Sequence, residues 1–361
     1  MADGSSAPLI STRPTLRIDG QDYPLISANI NLLMMREQTG GLSNLEVQVT
    51  DWLSPPGGAA GYGATSGSPL KLGAKIKVYC GPTNAPQEIF DGMVTAIEGE
   101  VGPGAPPSFT ILAEDGLWKA RRSRKSRTFD AMSPADVVKK VAADNGLTPQ
   151  VGDGLDQPVR TWAQMNESDL AFLRRVLEGI DADLQVVDQN LQVVPFARDK
   201  RTSVDLKYGD TLVRARITAD LAEQATEVRV GSFDPASGAA VVGTASDGEY
   251  GPGQGRKGQE FLQTALGTVR EHVGVRQPMA QGEADKLAKA MFGRRARRFL
   301  RVDGTAQGNG DIRVGSWVNI SGVNPFFANQ YVVTEATHRY DLASGYVTDF
   351  QAEGAFLGEP A

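Results

Sequence analysis

The middle of the fold is decided by residues 161–194, whose sequence is TWAQMNESDLAFLRRVLEGIDADLQVVDQNLQVV. Apolar side chains recur there at three- and four-residue spacing, which predicts an amphipathic helix. Asn166 is the predicted N-cap, because acidic residues follow it in the first turn, where the helix dipole favours negative charge. Two short strands, 182–187 and 191–194, follow around a turn at 188–190. This segment is therefore a capped helix followed by a hairpin, which indicates a structural unit rather than a catalytic one.

Composition favours a strand-rich protein of more than one domain. The chain has 361 residues, which is long for a single domain, so two or three domains are expected. Its 41 glycines and 20 prolines suit many strands joined by tight turns. The net charge of −6 gives no overall electrostatic footprint for nucleic acid. We expect nucleic acid only as a passing cargo.

Cysteine and histidine are too sparse for common metal sites. Cys80 is the single cysteine, which excludes an intrachain disulfide and a cysteine-based zinc site. It is predicted to share an inward strand face with Ile76 and Val78, so a buried hydrophobic role is favoured over a reactive thiol. His272 and His338 are the only histidines and are far apart in sequence. The pattern predicts a structural role for His338, which sits in a strand.

The chain is predicted to divide into three parts, at residues 1–118, 119–203 and 204–361. Period-two alternation in the first part, as at 45–49, predicts half-buried strands. The middle part has two amphipathic helices and the hairpin. The last part returns to strands, interrupted at about 248–300 by a Gly-rich connector and a helix predicted at 283–299. The fold class expected is therefore β-rich α+β, with an α/β insert between two β-domains.

One segment matches a cofactor-binding motif, but the residues around it do not support cofactor binding. Residues 253–258, GQGRKG, match G-x-G-x-x-G, but the motif needs a preceding strand and a following helix N-terminus to present amides to a pyrophosphate. A flexible connector is favoured at this position. Asp153 and Asp156 lie in a loop with glycine and proline, where turn formation explains them better than acid–base chemistry. We assign no catalytic, cofactor-binding or metal-binding residue.

Two basic runs and one long loop are candidates for contact with partners. The runs cover 119–127 and 294–301, and an acidic partner or nucleic acid is one interpretation. Solvated faces and ion pairs between subunits are favoured, because no aromatic side chains are interleaved as a base-stacking platform requires. The loop 54–68, SPPGGAAGYGATSGS, is long for a compact domain, which favours contact with a partner molecule.

Three separated segments together resemble one protein family. Residues 115–147, DGLWKARRSRKSRTFDAMSPADVVKKVAADNGL, resemble the linker and helix after the first barrel of phage late-control D proteins. Residues 162–184 resemble the acidic and apolar block of the same family. Residues 315–354, GSWVNISGVNPFFANQYVVTEATHRYDLASGYVTDFQAEG, resemble its C-terminal strands. The family is also similar to the N-terminal half of the type VI secretion spike protein VgrG and to the hub of contractile-phage baseplates.

This resemblance implies two tube-type antiparallel β-barrel domains, with the α/β insert between them, in a homotrimer. Such a trimer would be a structural baseplate hub that joins a hexameric tail tube to a trimeric spike. The implied partners are the tail tube protein and the spike protein, with tape-measure and baseplate wedge proteins as further candidates. The protein would be made in the cytoplasm, without a signal peptide or membrane insertion, and then assembled into a phage or phage-tail-like particle.

Two alternatives and one departure from the family stay open at this point. A tail-associated peptidoglycan hydrolase is the main alternative, but it needs a carboxylate pair or a metal-ligand set that the sequence does not display. A nucleic-acid-binding module using the two basic runs is the third. The sequence ends without an oligonucleotide-binding-type domain or a β-helix needle, so the piercing tip is expected to be a separate polypeptide. The expected function is structural, not enzymatic.

Overall fold

The structure is a computed structural model that describes residues 13–53, 60–63, 70–82, 84–198 and 201–358. Strands dominate, and helices are few and mostly short. The β-rich α+β class predicted from the sequence is therefore confirmed. Over the ranges given, no helix is both long enough and apolar enough to cross a membrane.

The first part of the chain is built from strands and one five-residue helix, α1 (Pro24–Ala28). The strands are β1 (Thr15–Ile18), β2 (Gln21–Asp22), β3 (Ile30–Gln38), β4 (Asn44–Thr50), β5 (Trp52–Leu53), β6 (Gly61–Tyr62), β7 (Lys75–Cys80), β8 (Gln87–Glu100) and β9 (Ser108–Glu114). Asp19 and Gly20 form the turn between β1 and β2, and both have positive φ. Most of the loop 54–68 lies outside the described residues, and its short middle piece forms β6, which pairs with β5.

The middle part contains three helices and five short strands, and the strands form three pairs. Its elements are α2 (Trp118–Arg122), β10 (Arg124–Met132), α3 (Pro134–Asp144), β11 (Thr148–Val151), β12 (Arg160–Ser168), α4 (Asp169–Glu178), β13 (Ala182–Val187) and β14 (Asn190–Pro195). Strand β10 pairs with β12, and β14 pairs with both β11 and β13. The predicted hairpin is β13–β14, and its turn residues Asp188 and Gln189 both have positive φ.

The predicted helix of the middle part is confirmed, but its N-cap is not Asn166. Helix α4 begins after Ser168, whose hydroxyl accepts a hydrogen bond from the amide of Ala171 at 3.2 Å. Asn166 instead lies in β12 with a φ of 52°, a left-handed conformation that asparagine tolerates better than most residues. The apolar stripe packs into a core with α3 and β13, where Phe172 stacks on Phe129 at a centroid distance of 5.0 Å.

The last part contains the remaining strands and two helices, α5 (Gly258–Leu266) and α6 (Gln281–Arg297). The strands are β15 (Ser203–Lys207), β16 (Leu212–Ala219), β17 (Glu227–Phe233), β18 (Ala240–Ala245), β19 (Arg256–Lys257), β20 (Arg270–Gly274), β21 (Leu300–Gln307), β22 (Trp317–Ser321), β23 (Gln330–Asp341), β24 (Gly345–Gly354) and β25 (Phe356–Leu357). Helix α6 matches the predicted helix within two residues at each end. Helix α5 was not predicted.

One large sheet connects the first and last parts of the chain. Its strand order is β16, β21, β24, β23, β3, β4, β9, β8, β7, β1, β2, with β22 and β15 attached beside β23. The two parts join where β3 pairs with β23 in antiparallel register, for example Met35 opposite His338. Among the described strands the path stays open, because β2 and β16 at its two ends do not pair with each other. The described strands thus form one open sheet rather than two closed barrels, and the two-barrel architecture stays a prediction.

Four apolar cores support this architecture. One lies under the first half of the sheet and another under the second half. A third fills the α/β insert, and a fourth lies between α6 and β17. The insert is attached to the sheet by the turn after β3: Arg174 of α4 donates hydrogen bonds to the carbonyl oxygens of Gly40 and Gly41 at 2.7 and 2.9 Å. Asp183 accepts a hydrogen bond from the Gly40 amide at 2.6 Å.

Candidate functional site

The main candidate site is one face of the large sheet, formed by its eight strands from β16 to β8. Period-two alternation sends every second side chain of each strand to the same side, and both apolar cores lie on one side only. The opposite side chains are exposed or half-buried and are mostly polar. We call this surface the polar face. Its ionisable, amide and hydroxyl members include Arg36, Glu46, Gln48, Glu98, Glu100, Thr110, Arg214, Arg216, Asp303, Thr305, Glu335, Thr337, Arg339, Asp349 and Gln351.

The polar face is continuous across the junction of the two halves. At that junction Leu33 lies opposite Tyr340 on the core side, while Arg36 lies opposite Thr337 on the polar side. The two halves therefore turn the same side of the sheet toward their cores. An antiparallel sheet with one packed side and one solvated side is common, but a polar surface eight strands wide is well suited to line a channel or to contact a polar partner.

Side chains on the polar face hold one another in place around Asp349. Its carboxylate accepts hydrogen bonds from the hydroxyl of Thr305 at 2.6 Å and from Arg339 at 3.3 Å. Arg339 also pairs with Asp341 at 2.9 Å. A shallow depression of about 210 Å³ lies beside them, lined in part by Arg214. Its charges are mixed and its walls are shallow, so it offers no enclosed space for a reaction.

A buried ion pair lies on the core side of the sheet where β3 pairs with β23, and we call this pairing the seam. Glu37 is almost completely buried, and its carboxylate contacts the guanidinium of Arg313 at 2.6 Å and the amide of Val314 at 2.6 Å. Burial by itself raises the pKa of Glu37, but the attraction and hydrogen bond of Arg313 outweigh it and lower that pKa to about 2. Glu37 is therefore ionised at neutral pH and joins the two ends of the chain.

His338 is also buried at this seam. Its Nδ1 lies 2.8 Å from the hydroxyl of Tyr346, and burial together with the nearby charge of Arg313 lowers the pKa of His338 to about 3. Its Nε2 has no hydrogen-bond partner within the described part of the chain. A neutral imidazole enclosed in this way has no access to a substrate, which agrees with the structural role predicted for it.

A cavity lies where the insert, the sheet and α6 meet, and we call it the junction cleft. It has a volume of about 520 Å³ and is lined by charged side chains of both signs. Arg297 is almost fully buried there and contacts Asp181 at 2.6 Å, while Arg294 contacts Glu178 at 3.1 Å. Burial raises the pKa of Asp183, which also lines the cleft. These contacts connect α6 to the insert, so the cleft is bounded by structural ion pairs.

The same contacts explain the second basic run. Every arginine predicted to crowd the end of this helix has an acidic partner in the same chain: Arg294 with Glu178, Arg295 with Glu271, Arg297 with Asp181, Arg298 with Glu353 and Arg301 with Glu223. The favoured sequence interpretation allowed solvated faces or pairs between subunits. The structure instead uses the run for contacts within the chain.

Two members of the first basic run, Lys125 and Arg127, contact one buried carboxylate. Asp169 has a side chain only 2% exposed, and it accepts hydrogen bonds from Lys125 at 2.6 Å and from Arg127 at 3.0 Å. Asn145 and Gln164 donate to it as well, each at 2.9 Å. Burial opposes the charge of Asp169, but these donors outweigh burial and lower its pKa. The run is therefore part of the insert's own structure.

The remaining candidates do not form a reactive site. Glu88, Asp91 and Asp188 could bring three carboxylate oxygens within 4.8 Å of one another. The ammonium of Lys77 lies 3.0 Å from Glu88 and 3.2 Å from Asp91, where a metal ion would have to bind. We therefore assign no metal to this cluster. Cys80 is buried, and burial raises the pKa of its thiol, as expected for an inert side chain.

The glycine motif and the loop carboxylates also have structural explanations. The prediction of a flexible connector is wrong for the end of 253–258. A short strand, β19, covers Arg256–Lys257, and α5 begins at Gly258. However, a Cβ on Gly255 would lie 2.1 Å from the carbonyl oxygen of Leu357, so the motif packs against β25 and leaves no room for a phosphate. Asp153 and Asp156 are exposed in the turn between β11 and β12.

Comparison with known proteins gives one family match. The model of the Alg8 N-terminal domain family matches residues 58–341 of this chain. No curated protein matches the chain.

Several solved structures have a similar fold over almost the whole chain. The 43 kDa tail protein of prophage MuSo2 from Shewanella oneidensis is 12% identical, with a TM-score of 0.68 over 94% of this chain and 97% of that chain. A component of the Escherichia coli type VI secretion system, described as similar to bacteriophage T4 tail proteins gp27 and gp5, is 11% identical, with a TM-score of 0.61 over 96% and 79%. A chain of the Francisella PdpA–VgrG complex is 8% identical, with a TM-score of 0.52 over 98% and 60%.

These likenesses confirm the predicted resemblance at the level of fold. The chain has the fold of phage tail proteins and of proteins related to the VgrG spike.

Proposed function

From its fold, which is like that of phage tail and type VI secretion proteins, we propose that this chain, which belongs to the Alg8 N-terminal domain family, is a structural baseplate hub. In this proposal three copies form a ring in a contractile tail or injection system. The ring joins the hexameric tail tube to the trimeric spike. The protein is made in the cytoplasm and then becomes part of a phage or phage-tail-like particle.

The polar face is the observation that carries this proposal. A sheet eight strands wide places both of its cores on one side and leaves a polar surface on the other. The strands exposed at the ends of this surface are available to pair with another chain. Copies arranged around an axis would turn this face toward a central channel and their cores outward. The channel would pass DNA or protein without the chain binding either one specifically.

The two halves of the sheet support the change from sixfold to threefold symmetry. Each half has its own core, and the halves meet at the antiparallel pair β3–β23. In a trimer, two similar halves per chain give six units around the axis. We propose that these halves are the two tube-type barrel domains, within the parts 1–118 and 204–361. Six such units would match a hexameric tube, while the chain itself keeps threefold symmetry for the spike.

The insert occupies the periphery in this proposal. It comprises residues 119–203, has its own core, and is attached to the sheet through the turn at Gly40 and Gly41 and through the ion pairs of the junction cleft. This position is suited to contacts with baseplate wedge proteins. The loop 54–68 is proposed to contact the tube, the spike or the tape-measure protein.

The proposed role needs no turnover. In the described part of the chain, the buried carboxylates of Glu37 and Asp169 are each engaged by basic side chains that lower their pKa. The one buried histidine has a lowered pKa and faces a tyrosine rather than a cavity. A hydrolase would instead need a carboxylate or a metal-bound water that reaches a substrate. We therefore propose that the chain is not an enzyme and takes no cofactor.

Light scattering on the purified chain tests the proposal directly. The expected mass at high protein concentration is three times the chain mass of 38.5 kDa. Electron microscopy of the same sample should show rings with threefold symmetry and a central channel. A monomeric mass at every concentration contradicts the trimer. A zymogram in which the purified chain clears cell-wall material contradicts the structural role and supports the hydrolase alternative.

A further inference from the structure

The polar face ends in two strand edges that have no partner strand among the described residues. At one end, β16 pairs with β21, and apart from an isolated bridge between Leu212 and Tyr208 it has no other partner in the described part of the chain. At the other end, β8 pairs with β7 only as far as Met93, so the segment from Thr95 to Glu100 pairs with β9 on one side alone. We call this segment the outer half of β8. Exposed edges of this kind are templates for pairing with another chain.

We propose that these two edges pair with each other between copies, so that β16 of one copy lies beside the outer half of β8 of the next. Arg214 and Arg216 would then face Glu98 and Glu100. This inference rests on the proposed trimer and names its contact surfaces. A contact between two different surfaces is heterologous, and rotation by a third of a turn closes it into a ring.

The direction of the strands fits this pairing. Neighbours in the order β16, β21, β24, β23, β3, β4, β9, β8 are all antiparallel. Because the number of alternating strands is even, the two end strands run in opposite directions. When a copy is rotated about the ring axis, its β8 is therefore antiparallel to β16 of its neighbour. The joined sheet keeps the same pattern of alternation and hydrogen bonding across the contact.

The charges of the two edges are complementary. Arg214 and Arg216 are exposed on the polar face of β16, and neither forms an ion pair within the described chain. Arg216 lies opposite Asp303 in the ladder, but that register does not bring their charged groups into contact. Glu98 and Glu100 are exposed on the polar face of β8, and they too have no ion-pair partner in the described ranges. Opposite charges on adjacent strands of one face stabilise a pair, and like charges destabilise it.

The other side of each edge is apolar, as a shared core requires. Ile97 is 38% exposed and projects from β8 on the core side, where it lies opposite Ile111 of β9. On β16, Ile217 projects to the core side opposite Val302 and is only partly buried. Pairing of the edges would cover both isoleucines. The contact would thus have ion pairs above the sheet and apolar packing below it.

Charge reversal tests this contact. The variant R214E/R216E places acidic side chains on β16, and the variant E98K/E100K places basic side chains on β8. Each variant alone puts like charges together, so the concentration at which the trimer dissociates should rise by about tenfold or more. The variant with all four substitutions restores opposite charges and should recover the wild-type dissociation concentration. Light scattering over a dilution series measures all of these values.

A matched control and a folding check complete the design. The variant R36E/E46K reverses two charges at the centre of the same polar face and should leave the dissociation concentration unchanged. Thermal unfolding should be similar for all variants under conditions where they are monomeric. A trimeric wild type whose dissociation is unaffected by either edge variant overturns this inference and leaves the proposed hub intact. A wild type that is monomeric at every concentration overturns the hub proposal itself.

Discussion

Glu37 and Arg313, which are 276 residues apart in the sequence, form a buried ion pair at a distance of 2.6 Å. Glu37 belongs to β3 and Arg313 precedes β22, so the pair lies where the first and last parts of the chain share a sheet. The Glu37 carboxylate also accepts a hydrogen bond from the amide of Val314, and this contact fixes the loop before β22. The continuity of the polar face therefore depends on a charged contact on the opposite side of the sheet.

Replacing Arg313 by methionine should strongly destabilise the protein. The substitution leaves the buried charge of Glu37 without its partner, and breaking a buried pair on one side typically costs about 3–5 kcal/mol. Urea unfolding measures the change in free energy. The control is the exposed pair Arg17–Asp22, whose side chains are 47% and 53% exposed. Replacing Arg17 by methionine should have a much smaller effect, because solvent screens an exposed pair. Equal effects at both sites would contradict the role assigned to Glu37 and Arg313.

His338 and Glu37 should each reduce stability as the pH is lowered, His338 from a higher pH than Glu37. The pKa of His338 is lowered from 6.5 to about 3 in the folded state, so the unfolded chain binds the proton first and stability is lost as pH falls through 6.5. The pKa of Glu37 is lowered from 4.5 to about 2, so its contribution is lost as pH falls through 4.5. Asp115 acts in the opposite direction, because burial raises its pKa to about 6.

The variant H338Q separates these contributions. Between about pH 6.5 and 4.5, the free energy of unfolding of the wild type should have a steeper pH dependence than that of H338Q, by at most about 1.4 kcal/mol per pH unit. Urea titrations at a series of pH values and a fixed protein concentration give both slopes. Identical slopes would show that His338 is protonated in the folded state.

The N-cap of α4 offers a local test. Replacing Ser168 by alanine removes the acceptor for the amide of Ala171 and should destabilise the protein by about 1 kcal/mol. Replacing Asn166 by glycine is the matched control, because glycine adopts the φ of 52° without strain. That control should change stability by less than about 0.5 kcal/mol. If the effects were reversed, Asn166 rather than Ser168 would be the cap.

The Ser168 result also shows which features the sequence could predict. The apolar stripe of α4 and the β13–β14 turn depend on neighbouring residues, and both were predicted correctly. The cap was misplaced because Asn166 and Ser168 are both good N-caps. The choice between them depended on how far β12 extends along β10, which is a contact with a distant segment. Helix α5 was missed because it begins at Gly258, at the end of the Gly-rich segment that was interpreted as a connector.

The candidate site was harder to predict for the same physical reason. Alternation shows that β4 or β24 has a polar side, but not that β3 pairs with β23 and makes those sides continuous. Glu37 did leave a signal, since it occupies an inward position next to Met35 in an alternating strand. Its partner, Arg313, could not be identified without the fold. The arginines of α6 were visible as a run, yet Glu178 is 116 residues away from Arg294.

Cys80 should be unreactive toward thiol reagents while the protein is folded. The residue is 2% exposed and burial raises the pKa of its thiol, so little thiolate is available to react at neutral pH. Labelling with a maleimide should be slow in buffer and complete in urea above the unfolding midpoint. Because Cys80 is the only cysteine, the labelled fraction reports unfolding of the first half of the sheet. Rapid labelling of the folded protein would contradict its inward position.

The turn at Gly41 should be the most sensitive point in the attachment of the insert to the sheet. Gly41 has a φ of +69°, and a Cβ there would lie 2.6 Å from Leu117 and 2.8 Å from Leu184, both in the insert core. Replacing Gly41 by alanine combines backbone strain with overpacking, so we expect the free energy of unfolding to fall by about 2–4 kcal/mol.

Gly20 is the matched control, since its φ is +83° but a Cβ there meets nothing within 4 Å. The variant G20A should lose only about 1 kcal/mol, from backbone strain alone. Amide hydrogen exchange should be faster in α4 and β13 of G41A than of G20A, and equal exchange would show that the insert does not depend on this turn.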